Sequence, residues 1–353
     1  MPPIRSIYSG QRSGETETKI HKTMGKIIAN PKNYTGNELE TVFFRPLVSG
    51  PDALELGIRM MYNMPVPTTL NFWKRSTDLL QKYSAGWNGS AASDKYQKII
   101  ELHKVKAEMG YAAEDYFSMV YERIVGRPDV NLGDLSGTEL EEAETALFRE
   151  AIAESVRATM WVGDTERASG FNTFDGFFKR LIDDTGAAAD DVKKVEMTSM
   201  ATAGNAEKLF QAMYAAAPAS LRGMKADGHL VLLVTRDVAE NYEESLLSGS
   251  LDSVRAARIN GIDRLSFRGI PVVDIQADAY LTAVGDLPES WAILTDSRNL
   301  AVAVNTSDFP GSEVSMWYNP DQMENRQRAT FMAGCDYLLP ELIVVSYSAV
   351  PEP

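Results

Sequence analysis

The stretch KYQKIIELHKVKA, Lys95 to Ala107, has the residues of a β-strand but no dry face. Alternation places Lys98, Ile100, Leu102, Lys104 and Lys106 on one side, and Ile99, Glu101, His103, Val105 and Ala107 on the other. A strand keeps its register because one face is buried. This one must be covered by something it does not supply. Upstream lies WNGSAASD (Trp87–Asp94), a tip of small and turn-forming residues, flanked on both sides by apolar, basic-rich arms. That is the pattern of a long two-stranded ribbon. A 12-residue arm would reach ~40 Å, and an isolated ribbon is marginal in water.

Charge suggests what covers it. The chain of 353 residues carries a net charge of −14, unevenly spread. Residues 1–108 hold 15 Lys and Arg against 10 Asp and Glu, whereas residues 109–353 hold 20 against 39. A basic N-terminal part therefore accompanies an acidic body, which in a homo-oligomer could belong to the next subunit. An acidic chain is a poor candidate for reading nucleic acid. A single cysteine, Cys335, excludes an internal disulfide framework and suits a reducing compartment. No apolar run approaches the ~20 residues of a membrane helix, and the N-terminus lacks the apolar core of a secretion signal. The glycosylation patterns at Asn33, Asn88 and Asn305 are read as chance matches.

Residues 1–40 look like an extended polar arm. Glu40–Pro67 is apolar but punctuated by prolines, so short pieces are expected. After the ribbon, Gly110–Gly126 switches to helical spacing, with Tyr111, Phe117, Val120, Tyr121 and Ile124 on one side. The clearest helix lies within Gly137–Asp164. Ser136 with Glu139, or Thr138 with Glu141, can form a capping box, acidic residues fill the first turns, and Gly163 ends it. Its apolar stripes are Leu140, Ala143, Leu147, Ala151 and Phe148, Ile152, Val156, Met160. A short aromatic helix, Phe174–Ile182, follows. Residues 190–305 then alternate helices and strands, including the continuous apolar run His229–Thr235, which has the look of a buried strand. Residues 109–190 and 306–353 would form a second unit that the chain leaves and re-enters.

Signals for chemistry are thin. His21, His103 and His229 are far apart in sequence, and metal sites need ligands at defined spacing. His229 reads as structural and Cys335 as a buried inert thiol. No phosphate loop, dinucleotide fingerprint or nucleophile elbow is present. The pairs Asp183–Asp184 and Asp190–Asp191 read as solvated surface, and the aromatic run Phe171–Phe178 as core rather than a ligand platform. The expectation is a structural protein with no catalytic, cofactor or metal site.

The order of parts resembles the major capsid protein of tailed phages with the Hong Kong ninety-seven type of fold. The segments that carry the likeness are IIELHKVKAEMGYAAEDYFSMV, ELEEAETALFREAIAESVRATMWVGD with FNTFDGFFKRLIDD, HLVLLVTRDVAENYEESLLSG with INGIDRLSFRGIPVVDIQ and WAILTDSRNLAVAVNTSD, and DQMENRQRATFMAGCDYLLPELIVVSY. The resemblance implies an α+β phage capsid fold: an N-terminal arm and first peripheral segment (1–59), an extended two-stranded loop (60–108), a peripheral domain (109–190) with a long spine helix (138–162), an inserted α/β axial domain (191–305), and a return to the peripheral domain (306–353). It further implies self-assembly through pentamers and hexamers into an icosahedral or prolate shell. That shell would enclose phage double-stranded DNA without sequence-specific binding, be built in the host cytoplasm, and use portal, scaffolding and decoration proteins but no membrane.

Subunit contacts would then fall on Lys74, Lys82, Trp87, Lys98, Leu102, Lys104 and Lys106. Residues 1–40 are too short for a built-in scaffolding segment, so a separate scaffolding protein or prior processing is implied. Lys74, Lys82, Lys95 and Lys98 lie in or beside the loop, but no partner Asn or catalytic Glu is identified, and no crosslink is expected. The alternatives are an encapsulin-like nanocompartment, a tail component and a cytoplasmic α/β enzyme.

Overall fold

The computed structural model describes residues 53–64, 68–74, 94–112, 139–186, 192–248, 257–259, 262–306 and 314–351. The elements, in chain order, are β1 (Arg59–Met61), β2 (Thr68–Lys74), β3 (Asp94–Ile100), β4 (His103–Ala112), α1 (Glu139–Val162), α2 (Phe177–Gly186), β5 (Lys193–Lys194), α3 (Asn205–Ala216), α4 (Ala219–Gly223), β6 (Leu230–Val234), α5 (Arg236–Ser248), β7 (Ala257–Ile259), β8 (Ile262–Arg264), β9 (Ser266–Phe267), β10 (Ile270–Asp274), α6 (Asp278–Val284), β11 (Trp291–Asp296), β12 (Leu300–Val304), β13 (Ser315–Asn319), β14 (Glu324–Tyr337) and β15 (Ile343–Tyr347).

Among the described residues these strands make two larger sheets and two ribbons. The six-stranded sheet runs β5-β15-β11-β6-β10-β9. It is mixed: β6 and β10 are parallel, as are β5 and β15, while β11 is antiparallel to both of its neighbours. Strand β6, LVLLV, is buried throughout, as its apolar run requires. Its alternation divides two cores. Val231 and Leu233 enter one with Phe174, Phe178 and Trp291. Leu230, Leu232 and Val234 enter the other with Leu209, Phe210, Val238 and Tyr242 of α3 and α5. α3 and α4 are separate helices, broken at Ala217–Pro218, because proline removes a ladder donor and disfavours helical backbone before it. The turn between β9 and β10 has Arg268 and Gly269 both at positive φ, the geometry a two-residue hairpin needs.

The second sheet has five strands, and β14 organises it. β14 pairs with β4 over 324–333, with β13 over 324–328 and with β12 over 333–337. β1 joins parallel to β12. Val302, Val304, Phe331, Ala333 and Cys335 face the main core, where Phe148, Ile152, Val156 and Met160 of α1 cover them. One of the two stripes expected on α1 is thus the buried one. Ala151, from the other, is exposed. The aromatic run is core: Phe174, Phe177 and Phe178 are fully buried, and Phe178 stacks on Trp291 with centroids 4.1 Å apart.

Gly163 ends α1 by close approach rather than by a left-handed cap. A β-carbon there would lie 2.2 Å from the Phe174 carbonyl oxygen, where the returning chain crosses the helix end. The crossing is fastened by the Gly176 N–H donating to the Gly163 carbonyl at 2.9 Å. On the far side of α1, the Tyr280 hydroxyl of α6 sits between Glu154 and Arg157, and Arg167 grips Asp286 with two bonds of 2.6 and 2.7 Å.

The strand without a dry face proves to be two strands. β3 ends at Ile100 and β4 starts at His103. Ile100 and Leu102 are buried together on the sheet face formed by Ala301 and Ala303. Past that point the inward positions become Val105, which is buried, and Ala107, which is half-buried, both against the main core. The apolar phase shifts from even to odd numbers because the chain leaves a ribbon and enters a sheet. Of the helix expected over Gly110–Gly126, residues 110–112 belong to β4, and 113–126 lie outside the described residues.

Gly334 makes the crossover possible. A β-carbon there would stand 2.1 Å from the Glu101 carbonyl oxygen. That obstacle is backbone and cannot rotate away. Gly334→Ala is expected to cost about 1–3 kcal/mol and to lift the foot of the ribbon from the sheet. Thermal melting of the soluble variant checks it. A variant melting with the parent would mean that Glu101 moves aside freely.

Candidate assembly surface at the ribbon

β2 and β3 form a ladder of seven antiparallel pairs, from Thr68 opposite Ile100 to Lys74 opposite Asp94. The described body meets this ribbon at its root. Ile100, Leu102, Ala301, Ala303 and Leu338 make a small apolar cluster there, joined by Met61, Met64 and Leu70. On the opposite side of β3 from Ile100, Ile99 is 53% exposed.

The residues expected to make subunit contacts are placed unequally. Leu102 is buried within its own chain. Lys98 reaches Asp336 at 3.2 Å and lies 4.5 Å from the centre of the Tyr337 ring. Lys106 pairs with Glu108 at 2.6 Å, and Arg328 reaches the same carboxylate at 2.7 Å across the β4–β14 ladder. The hydrogen bond from Lys106 holds the Glu108 carboxyl below its ordinary range. Lys104 is exposed on the sheet. Lys74 closes β2, while Lys82 and Trp87 lie outside the described residues. The acidic partners of Lys98 and Lys106 are thus found within the chain itself.

Asp336 was not singled out by sequence reading. Its side chain is 2% exposed. Oδ1 accepts from Lys98 and from the Tyr337 N–H at 2.8 Å, and Oδ2 faces Arg180 of α2 at 3.4 Å. Burial pushes its carboxyl above the usual carboxylate range against the opposing pull of Arg180 and Lys98. An acid inside the buried run GCDYLL is the signal that could have found it, since a buried charge needs a partner.

No arrangement among the described residues suggests metal chemistry: no three His, Cys, Asp or Glu side chains come together to hold an ion. The Cys335 thiol is buried, 3.2 Å from the Asp175 carbonyl oxygen, and burial pushes it far above the ordinary thiol range. It is expected to stay unmodified by iodoacetamide at pH 8 in the native chain and to react fully in denaturant, as read by mass spectrometry. Modification of the native chain would contradict its burial.

No family model matches the chain, and no curated protein matches it in sequence. Solved structures do. The capsid chain of Myoviridae phage XM1 aligns over 93% of this chain and 100% of its own length, at 12% identity and a TM-score of 0.52. The chain has the Hong Kong ninety-seven type of capsid fold. Similar alignments join it to the satellite phage P4 procapsid that includes the size determination protein, with 84% and 94% coverage, 10% identity and a TM-score of 0.50. The holo-SrpI encapsulin complex of Synechococcus elongatus PCC 7942 gives 87% and 90% coverage, 9% identity and a TM-score of 0.50. The closing strands are shared out: β14 lies in the five-stranded sheet, whereas β15 inserts between β5 and β11 in the six-stranded one. No described helix is long and apolar enough to cross a membrane.

Proposed function

We propose that the chain is a structural shell subunit, a major capsid protein that assembles with copies of itself into a closed shell around phage double-stranded DNA. One observation carries this reading. A two-stranded ribbon, with Ile99 uncovered, is held by its root on a body whose fold aligns over the full length of the phage XM1 capsid chain. A ribbon of this kind is stable when a neighbour covers it. Buried apolar area would supply most of the contact energy, at ~25 cal/mol per Å². The exposed lysines would mainly set orientation and partner choice. Pentamers and hexamers belong to the same proposal, as does a division into an arm (1–59), extended loop (60–108), peripheral region (109–190 and 306–353) and axial region (191–305), with β15 of the last stretch counted in the axial region because it pairs with β5 and β11.

The net charge of −14 fits a container whose lining repels its DNA rather than gripping it. The P4 procapsid contains a size determination protein beside its shell. A separate scaffolding partner for this chain is the corresponding proposal, together with a portal and decoration proteins. Assembly in the host cytoplasm and residence in the virion follow from that reading.

A second reading is an encapsulin-like compartment, favoured by the SrpI alignment at a TM-score of 0.50. One fold serves both uses, so contents rather than architecture decide. Electron microscopy of the purified chain, alone and co-expressed with neighbouring genes, tests both. Closed angular shells of uniform size support the shell reading. DNA inside them selects the virus, and protein cargo selects the compartment. Tubes would point to a tail component. A small oligomer under both conditions would overturn the shell reading and return attention to an enzyme.

A further inference from the structure

The root of the ribbon carries more ionisable groups than its apolar cluster needs. β3 brings Lys98, and β4 brings His103. α2 brings Arg180 and Asp184, the chain before α2 brings Asp175, and β14 brings Cys335, Asp336 and Tyr337. Asp184 takes a hydrogen bond from the Tyr337 hydroxyl. Asp175 accepts from the Thr165 N–H and hydroxyl at 2.9 and 2.8 Å, with Arg180 and His103 close enough to favour its charge. Asp336 joins separate elements, because one of its oxygens holds the ribbon and the other faces α2.

We propose that Asp336 is a charge lock. Its carboxylate fixes the ribbon, through Lys98, and α2, through Arg180, in one relative arrangement, and it releases the ribbon when it takes up a proton. The geometry is that of a latch rather than a stabiliser. Asp336 is 2% exposed, whereas its cations keep some contact with water, at 30% exposed for Lys98 and 20% for Arg180. Removing a carboxylate so far from water can cost more than such partners return. The upward push on its carboxyl has the matching sign. Between the ordinary aspartate value, about 4, and the raised native value, the folded chain binds more protons than the unfolded one. Stability therefore falls as pH rises through that window. The charged lock is held at a cost to the fold, and what it provides is a defined ribbon position. Ile100 and Leu102 keep the root attached when the lock opens, so the ribbon would change inclination without detaching.

This inference concerns contacts within one chain and does not depend on the shell reading. The experiment places a nitroxide on Ile99→Cys, which is exposed, while buried Cys335 stays unlabelled. Spin-label mobility is followed in the soluble, unassembled full chain from pH 8 to pH 4.5. The expected result is a restricted label at pH 8 that becomes mobile with a midpoint above pH ~4. In Asp336→Asn the label should be mobile across the whole range, while the urea midpoint at pH 8 is equal to or above that of the parent. Lys98→Met should also free the label at pH 8. A label equally restricted in parent and Asp336→Asn would overturn the lock. So would a pH transition that survives in Asp336→Asn, since it would belong to another group. A fall in the urea midpoint of Asp336→Asn would also overturn it, by making the contact a plain stabilising pair.

Discussion

Replacing residues 69–99 by an Asn-Gly turn is expected to leave a folded chain that forms no shells. The ladder allows this edit, because Thr68 and Ile100 stand directly opposite each other and a two-residue hairpin can join them. The edit removes the ribbon and Lys98 but spares Ile100, Leu102 and the whole of β4 with Lys104 and Lys106. A wider deletion reaching Lys106 would tear β4 from its ten-residue pairing with β14 and unfold the sheet, confusing loss of fold with loss of assembly. Circular dichroism and melting near the parent, with complete loss of particles in the microscope, is the expected pair of results. Particles of normal size from the shortened chain would show that contacts elsewhere drive assembly.

Trp291→Ala is expected to be the most damaging single substitution for the fold. The indole is fully buried, stacked on Phe178 at 4.1 Å and tilted on Tyr347 at 4.8 Å, and its N–H donates to the Pro288 carbonyl at 2.7 Å. It sits where α2 packs on the six-stranded sheet and the surrounding side chains are themselves fixed, so the vacated volume cannot close. Truncating a large buried aromatic costs about 3–5 kcal/mol out of a typical total of 5–15 kcal/mol. The urea midpoint of the soluble variant should fall steeply. Trp291→Phe should recover most of the loss, because it refills much of the volume and sacrifices only the indole bond. A small effect of Trp291→Ala would mean that α2 is free to settle inward.

Local features were legible in the sequence. Acidic first turns and apolar spacing pointed to α1, whose described residues run from Glu139 to Val162, and an unbroken apolar run located β6. The aromatic run was rightly read as core. What the sequence hid was membership. Nothing local tells that β14 and β15, separated by a short turn, belong to different sheets. For the same reason Lys95–Ala107 read as one strand with two wet faces, although its apolar residues serve two different surfaces on either side of Glu101. The assembly residues were chosen by charge and position in the ribbon. Charge alone could not reveal that the acid nearest Lys98 is Asp336, 238 positions further along the same chain. Gly163 was assigned the right place for the wrong reason, since backbone crossings are invisible until the fold is known.

The insertion of β15 beside β11 also sets a clock on biosynthesis. β11 ends at residue 296 and β15 at residue 347, so the sheet centre is made well before the strand that closes it. At ~5–20 residues per second of translation, the nascent chain would hold β11, a strand that the finished fold buries, as an open edge for roughly 3–10 s. During that interval neighbouring chains on the same message offer one another the same edge. Yield in the cell would then be governed by how well that edge is shielded on the ribosome, and slowing translation between these two strands would lower the harvest of usable subunits without altering a single residue.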